Sequence, residues 1–336
     1  IVALMAAQSA QPIRTFTIGF NEAAYDEAVH AKIIAAHLGT DHTELRVTPA
    51  EAMAVIPRLP ALYDEPFADA SQIPTFLVSQ LARRKVTVSL SGDGGDEVFG
   101  GYNRYFVGRS LWNTIRWLPR PIRQAAAGAL RLPGPSQWNR LSRILEPLLR
   151  RYGNPGTFAD KFSKIADVLS MASSDALYQR LVSQWDAPEE LLTHGSEPVL
   201  PLPAPLRAGA ITDITERMIF QDSVGYLPDD ILVKLDRAAM GVSLEGRVPF
   251  LDHRLVEFSW RLPLSMKLRA GKGKWILRQV LERHVPRPLF DRPKMGFSLP
   301  LGDWLRGDLR DWAENLLGAE RLQREGFFKP EVVRER

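Results

Sequence analysis

The chain has 336 residues, 45% of them hydrophobic and 24% charged, with a formal net charge of +4 and no cysteine. The length admits one large domain or two ordinary ones with ample core, and no apolar run is long enough to cross a bilayer. The lack of cysteine excludes a disulfide framework, a thiolate zinc site and a cysteine nucleophile within these residues; it points to a reducing compartment, and the cytoplasm is the expected setting.

The elements follow in order. Ile1-Val2-Ala3-Leu4-Met5 has no initiator Met, basic n-region or capping residue. It reads as a helix entered midway rather than a signal peptide. Residues 15–20 form a short strand, 24–38 have helical periodicity ended by Gly39, and 43–47 form a second strand. Thr48-Pro49 opens another helix, and 70–84 is a further one leading into a strand over 86–90. Strand–helix alternation at this spacing implies a parallel sheet with right-handed crossovers, hence an α/β fold. Past residue 105 strand signals nearly vanish. Pro/Gly breaks at 119–121, 133–135 and 198–205 divide helical stretches. From 211 to 316 the chain reads as helical, apart from a non-helical crossing at 247–252. The end at Val332-Val333-Arg334-Glu335-Arg336 carries no terminating signal, so a segment of a longer protein is expected.

The run Ser91-Gly92-Asp93-Gly94-Gly95-Asp96-Glu97-Val98-Phe99-Gly100-Gly101-Tyr102 follows the third strand. Glycines let backbone N–H groups approach a phosphate because no Cβ intervenes. The carboxylates of Asp93, Asp96 and Glu97 would repel phosphate unless a hard cation sat between. The run therefore reads as a nucleotide site at the C-terminal end of a parallel strand, with Mg²⁺ bridging Asp96 to phosphate oxygens. The competing reading is an acidic, Gly-rich turn without a ligand.

Other charged residues carry less specific signals. Between Arg104 and Arg151 lie ten arginines, no lysine and one acid, Glu146, interleaved with Trp112, Trp117 and Trp138. Such a stretch can mark a nucleic-acid surface, but no recognised binding motif accompanies it, and an amphipathic helical pair is the preferred reading. Asp64, Glu65 and Asp69 form a loop acid cluster without assigned purpose. Asp236 and Arg237 read as lying on a buried helix, either paired or in contact with a ligand, and Asp252 as the cap of a helix starting near His253. The six histidines show no metal-ligand spacing.

Four stretches taken together carry a family likeness. They are residues 15–20, 91–102, the run Tyr226-Leu227-Pro228-Asp229-Asp230 continuing to Glu245-Gly246-Arg247-Val248-Pro249-Phe250-Leu251-Asp252, and Arg292-Pro293-Lys294-Met295-Gly296-Phe297. In this order they resemble the synthetase domain of glutamine-hydrolysing asparagine synthetases, of the N-type ATP pyrophosphatase (adenine nucleotide alpha-hydrolase-like) class. The resemblance implies an α/β fold with that parallel sheet and a large, mostly α-helical C-terminal part. It implies a nucleotide-binding core over 1–105, a helical Arg-rich insertion over 106–210, and a helical remainder of the same domain over 211–336. The implied chemistry is ATP-dependent: the aspartate side-chain carboxylate is adenylated to β-aspartyl-AMP, and ammonia released from glutamine by an N-terminal glutaminase domain displaces AMP. The implied cofactors are ATP and Mg²⁺.

The likeness also assigns residues. Asp96 matches the metal ligand; Ser91, Gly92, Asp93 and Gly94 match the nucleotide-facing loop; Ile18 matches a backbone contact to adenine. Lys294 matches the lysine that stabilises the adenylation transition state and departing pyrophosphate. Tyr102 and Glu245 match positions that form an acid/base pair in related β-lactam synthetases. A structural alternative stands beside each: a solvated loop lysine at 294, a buried Glu245–Arg247 ion pair, and Tyr102 packing over the glycine turn.

The family's Ser-Gly-Gly-x-Asp-Ser phosphate loop and its strand are expected immediately before Ile1, between strands 15–20 and 86–90. The chain without them is expected to be inactive and to leave two strand edges unpaired. A related amidotransferase or cyclase (β-lactam-synthetase-like, lasso-peptide-cyclase-like or polysaccharide-modifying) stays open, as does a non-enzymatic nucleic-acid-binding role. A homodimer is open as well, and no membrane partner is expected.

Overall fold

The computed structural model describes all residues except 21–25, 132–164, 186, 199–202, 293–298 and 336. The chain divides into two compact units: Ile1–Gly101 with Ala187–Leu200 and Ile219–Arg336, and Tyr102–Asp186 with Pro201–Met218.

In the first unit, β1 (Arg14–Phe20) pairs in parallel with β2 (Asp41–Val47), register running from Arg14↔Asp41 to Phe20↔Val47. The Ala28–Leu38 helix crosses between them and ends at Gly39, where the sequence places its stop. Thr48 caps the Pro49–Met53 helix through a reciprocal pair with Glu51: its hydroxyl accepts from Glu51 N, and its own N–H donates to Glu51 Oε2 at 2.8 Å. β3 (Val88–Leu90) pairs in parallel with β4 (Glu245–Arg247). The sequence reading misses β4, because Glu-Gly-Arg lacks every β-branched or aromatic signal and becomes a strand only by meeting β3.

The parallel pairing is as expected, but a single sheet is not formed among the described residues. β1–β2 and β3–β4 are two separate two-stranded ladders. Instead of a ladder between β1 and β3, the Arg14 guanidinium donates to the Lys85 carbonyl at 2.9 Å.

The core behind β1 and β2 gathers Ile18, Phe20, Val47, Ile73, Phe76, Ala238 and Trp304. Each large aliphatic or aromatic side chain there contributes roughly 1.5–3 kcal/mol by leaving water. The Gln72–Arg83 helix supplies Ile73, Phe76 and Leu77 from one face. Residues Asp222–Leu232 wind as a wide π-helix containing Pro228, then tighten into the α-helix Val233–Met240. A proline cannot donate to an α-helical ladder, so the wider winding accompanies it. Asp252 caps the His253–Arg261 helix as expected, its Oδ1 accepting from Arg254 N at 2.9 Å.

The second unit is helical where described. Asn103–Ile115 packs against Ser174–Val182 around the buried side chains of Tyr105, Leu177 and Met218. The Asp175 carboxylate binds the Arg217 guanidinium, with Arg217 Nε 3.0 Å from Oδ1. Arg123, in the helix Arg120–Arg131, is almost fully buried and donates to the carbonyls of Leu118 and Met171. Among the described residues no helix is long and apolar enough to cross a membrane.

Candidate functional site

The Ser91 run begins where β3 ends. Ser91 N donates to the Arg247 carbonyl at 2.9 Å, extending the β3–β4 ladder by one bond and fixing the start of the loop. Gly94 turns the chain with φ +77° and precedes the five-residue helix Gly95–Phe99. A Cβ at Gly94 would both occupy the left-handed region and lie 2.7 Å from Leu251 Cδ2. The loop is therefore pressed against the Pro249-Phe250-Leu251 turn, and Phe99 meets Phe250 edge to face at 5.9 Å. Two motifs some 150 positions apart in sequence thus form one packed surface.

A third segment completes it. Gly271-Lys272-Gly273-Lys274 runs against the end of the loop, with Lys274 N donating to the Phe99 carbonyl at 3.3 Å. Lys274 has φ +55°, a left-handed backbone that a non-glycine residue adopts at a cost of about 1–2 kcal/mol. That conformation places its ammonium 3.0 Å from Asp96 Oδ1. Gly101 leaves room for that same oxygen, since a Cβ there would overlap it.

A cavity of about 690 Å³ opens on this surface. Ser91, Gly92, Gly95 and Lys274 line it together with Leu90, Phe250, Leu277 and Leu281. Its volume and its mostly apolar wall with a few convergent polar groups are those of a small-molecule site. The Ser91 hydroxyl oxygen is buried and has no hydrogen-bond partner among the described residues. Gly92 faces open space. A buried hydroxyl in need of a partner, bare backbone and an adjacent ammonium are the donor set that a phosphate-bearing ligand requires.

The expected residues separate into groups. Ser91, Gly92, Asp93, Gly94 and Asp96 stay together in the loop. Ile18 lies in the middle of β1, its side chain buried in the core and its backbone in register with Leu45. Glu245 starts β4 opposite Val88, at the end of the ladder away from Ser91, and is not among the residues lining the cavity. Its Oε1 accepts from Arg247 Nε at 2.6 Å. The pairing read from sequence is present, but both side chains are exposed, so it is no buried ion pair. Tyr102 belongs to the second unit, where it precedes the Asn103–Ile115 helix with the Arg104 guanidinium 3.8 Å over its ring. Lys294 lies outside the described residues. Asp236 and Arg237 are exposed rather than buried, with Arg237 Nη1 3.1 Å from Asp64 Oδ2.

No cluster of three or more potential metal ligands occurs among the described residues. Mg²⁺, however, is held in phosphate-binding sites by one or two carboxylates with the remaining positions taken by phosphate oxygens and water. Asp96, with Asp93 three residues before it, fits that requirement as a carboxylate donor.

Two features escaped the sequence reading. One is Lys274, signalled by a Gly-Lys-Gly-Lys run that allows close backbone approach. The other gives the acid cluster its partners. Lys234 Nζ donates to Asp69 Oδ2 at 2.8 Å and to Ser71 Oγ at 2.9 Å, while Asp69 Oδ1 accepts from Ser71 N and Oγ. Burial would raise the Asp69 carboxyl, but Lys234 and Ser71 hold it below its ordinary value. Asp230 is pushed up to about 6 by burial and by the charge of Asp69. Burial and the same two carboxylates raise the Tyr63 phenol.

Comparison with known proteins places the chain in a family. The family model for asparagine synthase matches residues 1–336. The chain belongs to the asparagine synthase family. It is 31% identical over 91% of its length to asparagine synthetase [glutamine-hydrolyzing] 1 of Bacillus subtilis (strain 168), covering 45% of that protein. It is 34% identical over 95% of its length to a putative asparagine synthetase [glutamine-hydrolyzing] of Mycobacterium bovis, covering 46% of it. A more distant relative, 25% identical over 94% of this chain and covering 48% of its own, is the amidase chyE of Penicillium rubens. This asparagine synthase family chain thus spans about half the length of the curated relatives it matches.

Proposed function

We propose that this chain carries the ATP-using, amide-forming site of a glutamine-hydrolysing asparagine synthetase. The observation that carries the reading is the Ser91–Asp96 loop joined to Lys274 beside the 690 Å³ cavity that Ser91, Gly92, Gly95 and Lys274 line, in a chain of this family. The substrates would be ATP, aspartate and ammonia derived from glutamine. An oxygen of the aspartate side chain attacks the α-phosphorus, the α–β phosphoanhydride bond breaks and pyrophosphate leaves with the bond's electron pair. Ammonia then attacks the acyl carbon, loses a proton, and AMP departs.

The residues suit that sequence of charges. The Lys274 ammonium faces the region where negative charge builds on the phosphates, and the buried Ser91 hydroxyl orients a phosphate oxygen. Asp96 holds Lys274 in place, and with Asp93 it would hold Mg²⁺, whose bound charge neutralises phosphate oxygens. The apolar wall of Leu90, Phe250 and Leu277 keeps water from an acyl-adenylate. Lys294 would add a second cation.

Aspartate-dependent exchange of pyrophosphate into ATP tests the reading in the protein that carries this chain. Exchange should fall about a hundredfold in Lys274→Ala, as for loss of one preorganised oxyanion donor. Exchange unchanged by Lys274→Ala and Asp96→Asn would remove this site from the chemistry. The similarity to a protein named an amidase keeps a second acceptor open, and exchange promoted by another carboxylic acid but not by aspartate would establish it.

A further inference from the structure

The proposed amide chemistry leaves the arginine-rich stretch unused, and that stretch forms a second cavity lying wholly within the second unit. It measures about 260 Å³, and its lining includes Arg109, Trp112, Asn113, Arg116, Ser174 and Thr212 as well as one acid, Asp213. Arg109, Trp112, Asn113 and Arg116 recur at helical spacing on one face of the segment from Asn103 to Arg116. Ser174 and Thr212-Asp213 come from the starts of two other helices.

The charge balance of this cavity is positive. Asp213 Oδ1 is committed to capping, accepting from Thr215 N at 2.8 Å and Glu216 N at 3.3 Å. Its other oxygen forms an ion pair with Arg109, 3.8 Å from Nη2 and too long for a hydrogen bond. Arg116 has no carboxylate partner among the described residues; its guanidinium lies 5.1 Å from the Trp117 ring centroid. Arg123, behind the Trp112 ring at 5.7 Å, adds a third positive charge and spends its donors on backbone carbonyls. Two guanidinium forks, an amide and two hydroxyls therefore line a space in which the described residues supply one carboxylate, already capping a helix and paired with Arg109.

We propose that this cavity binds a small oxyanion, a phosphate or short dicarboxylate, between Arg109 and Arg116. Guanidinium forks match such anions bidentately. The size selects against larger ligands: at about 30 Å³ per water the cavity holds roughly nine waters, below the ~300–1,000 Å³ of sites for drug-sized molecules. The site is independent of the Ser91 loop, and its test separates the two.

Titration calorimetry of the full chain at low ionic strength, with inorganic phosphate in one arm and succinate in the other, measures binding; the tighter arm identifies the anion. Saturable binding of either is expected, weakened at least tenfold in Arg116→Gln. That variant removes no internal ion pair, so the fold survives. Arg109→Lys, which keeps the charge but loses the fork, should weaken binding less. Arg84→Gln, at an exposed arginine of the first unit, should leave it unchanged. In Trp112→Phe the anion-dependent change in indole emission should disappear. The proposal fails if neither anion binds saturably, or if Arg84→Gln weakens binding as much as Arg116→Gln. It fails equally if Lys274→Gln abolishes binding, or if only single-stranded oligonucleotide binds, with a steep salt slope.

Discussion

Two lysine–carboxylate pairs in the first unit look alike but sit in different surroundings. Lys234 and Asp69 keep only 12% and 21% of their side chains exposed, and Ser71 binds both partners. Lys274 and Asp96 keep 34% and 24%, line or border a large cavity, and depend on a left-handed lysine backbone. The first pair ties the loop before the Gln72–Arg83 helix to the Val233–Met240 helix. The second holds an ammonium beside open space. An ion pair with its donors spent internally is built as a clasp, whereas one facing a cavity with an unpartnered hydroxyl nearby has the setting of the proposed site.

Breaking the clasp should have the largest effect. Lys234→Met leaves Asp69 charged and largely enclosed, and should cost about 3 kcal/mol in urea unfolding, as for a buried pair that loses one partner. A loss below ~1 kcal/mol would make this pair no more structural than a surface one. Lys274→Ala should instead cost less than about 1 kcal/mol of stability while reducing pyrophosphate exchange about a hundredfold. If stability falls as far as in Lys234→Met, the two pairs do not differ in kind.

Lys274→Gly sharpens the contrast further. It removes the charge but relieves the left-handed backbone, so it should be more stable than Lys274→Ala by about 1 kcal/mol, with exchange as low in both. Equal unfolding midpoints would show that the lysine backbone carries no strain.

The smallest effect concerns pH. Asp230 keeps its proton in the folded chain to about pH 6, whereas in the unfolded chain it loses it near 4. The folded state thus binds more protons between those values, and stability should fall as pH rises from about 4 to about 6. Asp69 acts in the opposite sense: its depressed carboxyl adds stability above its unfolded value that is lost as pH falls below about 4. Asp230→Asn should flatten the upper limb and stabilise the chain at pH 8 by about 1 kcal/mol, allowing for the partial exposure of the group. A profile unchanged by Asp230→Asn would show that Asp230 is not the group responsible.

Much of the site's outline was legible in the sequence. The Gly/Asp run announced itself because the residue types that permit close phosphate approach and metal binding are adjacent in the chain. The strand before it, the Thr48 cap and the Asp252 cap were legible for the same reason: each rests on interactions spanning a few residues. β4 was not, since Glu245-Gly246-Arg247 has no strand propensity and is extended only by pairing with Val88–Leu90. Lys274 was overlooked because its role comes from Phe99, Gly101 and Asp96, more than 170 positions away.

By itself the sequence determined the α/β class and the asparagine synthase family, and it singled out the Ser91–Tyr102 loop as the proposed nucleotide site, because these depend on local residue chemistry and order. Tertiary structure alone decided that β4 pairs with β3, that Glu245 begins β4 away from Ser91, and that Lys274 rather than Asp69's Lys234 faces the cavity. The reason is physical: whether a charge is a clasp or a site depends on what surrounds it, and those surroundings are assembled from distant parts of the chain.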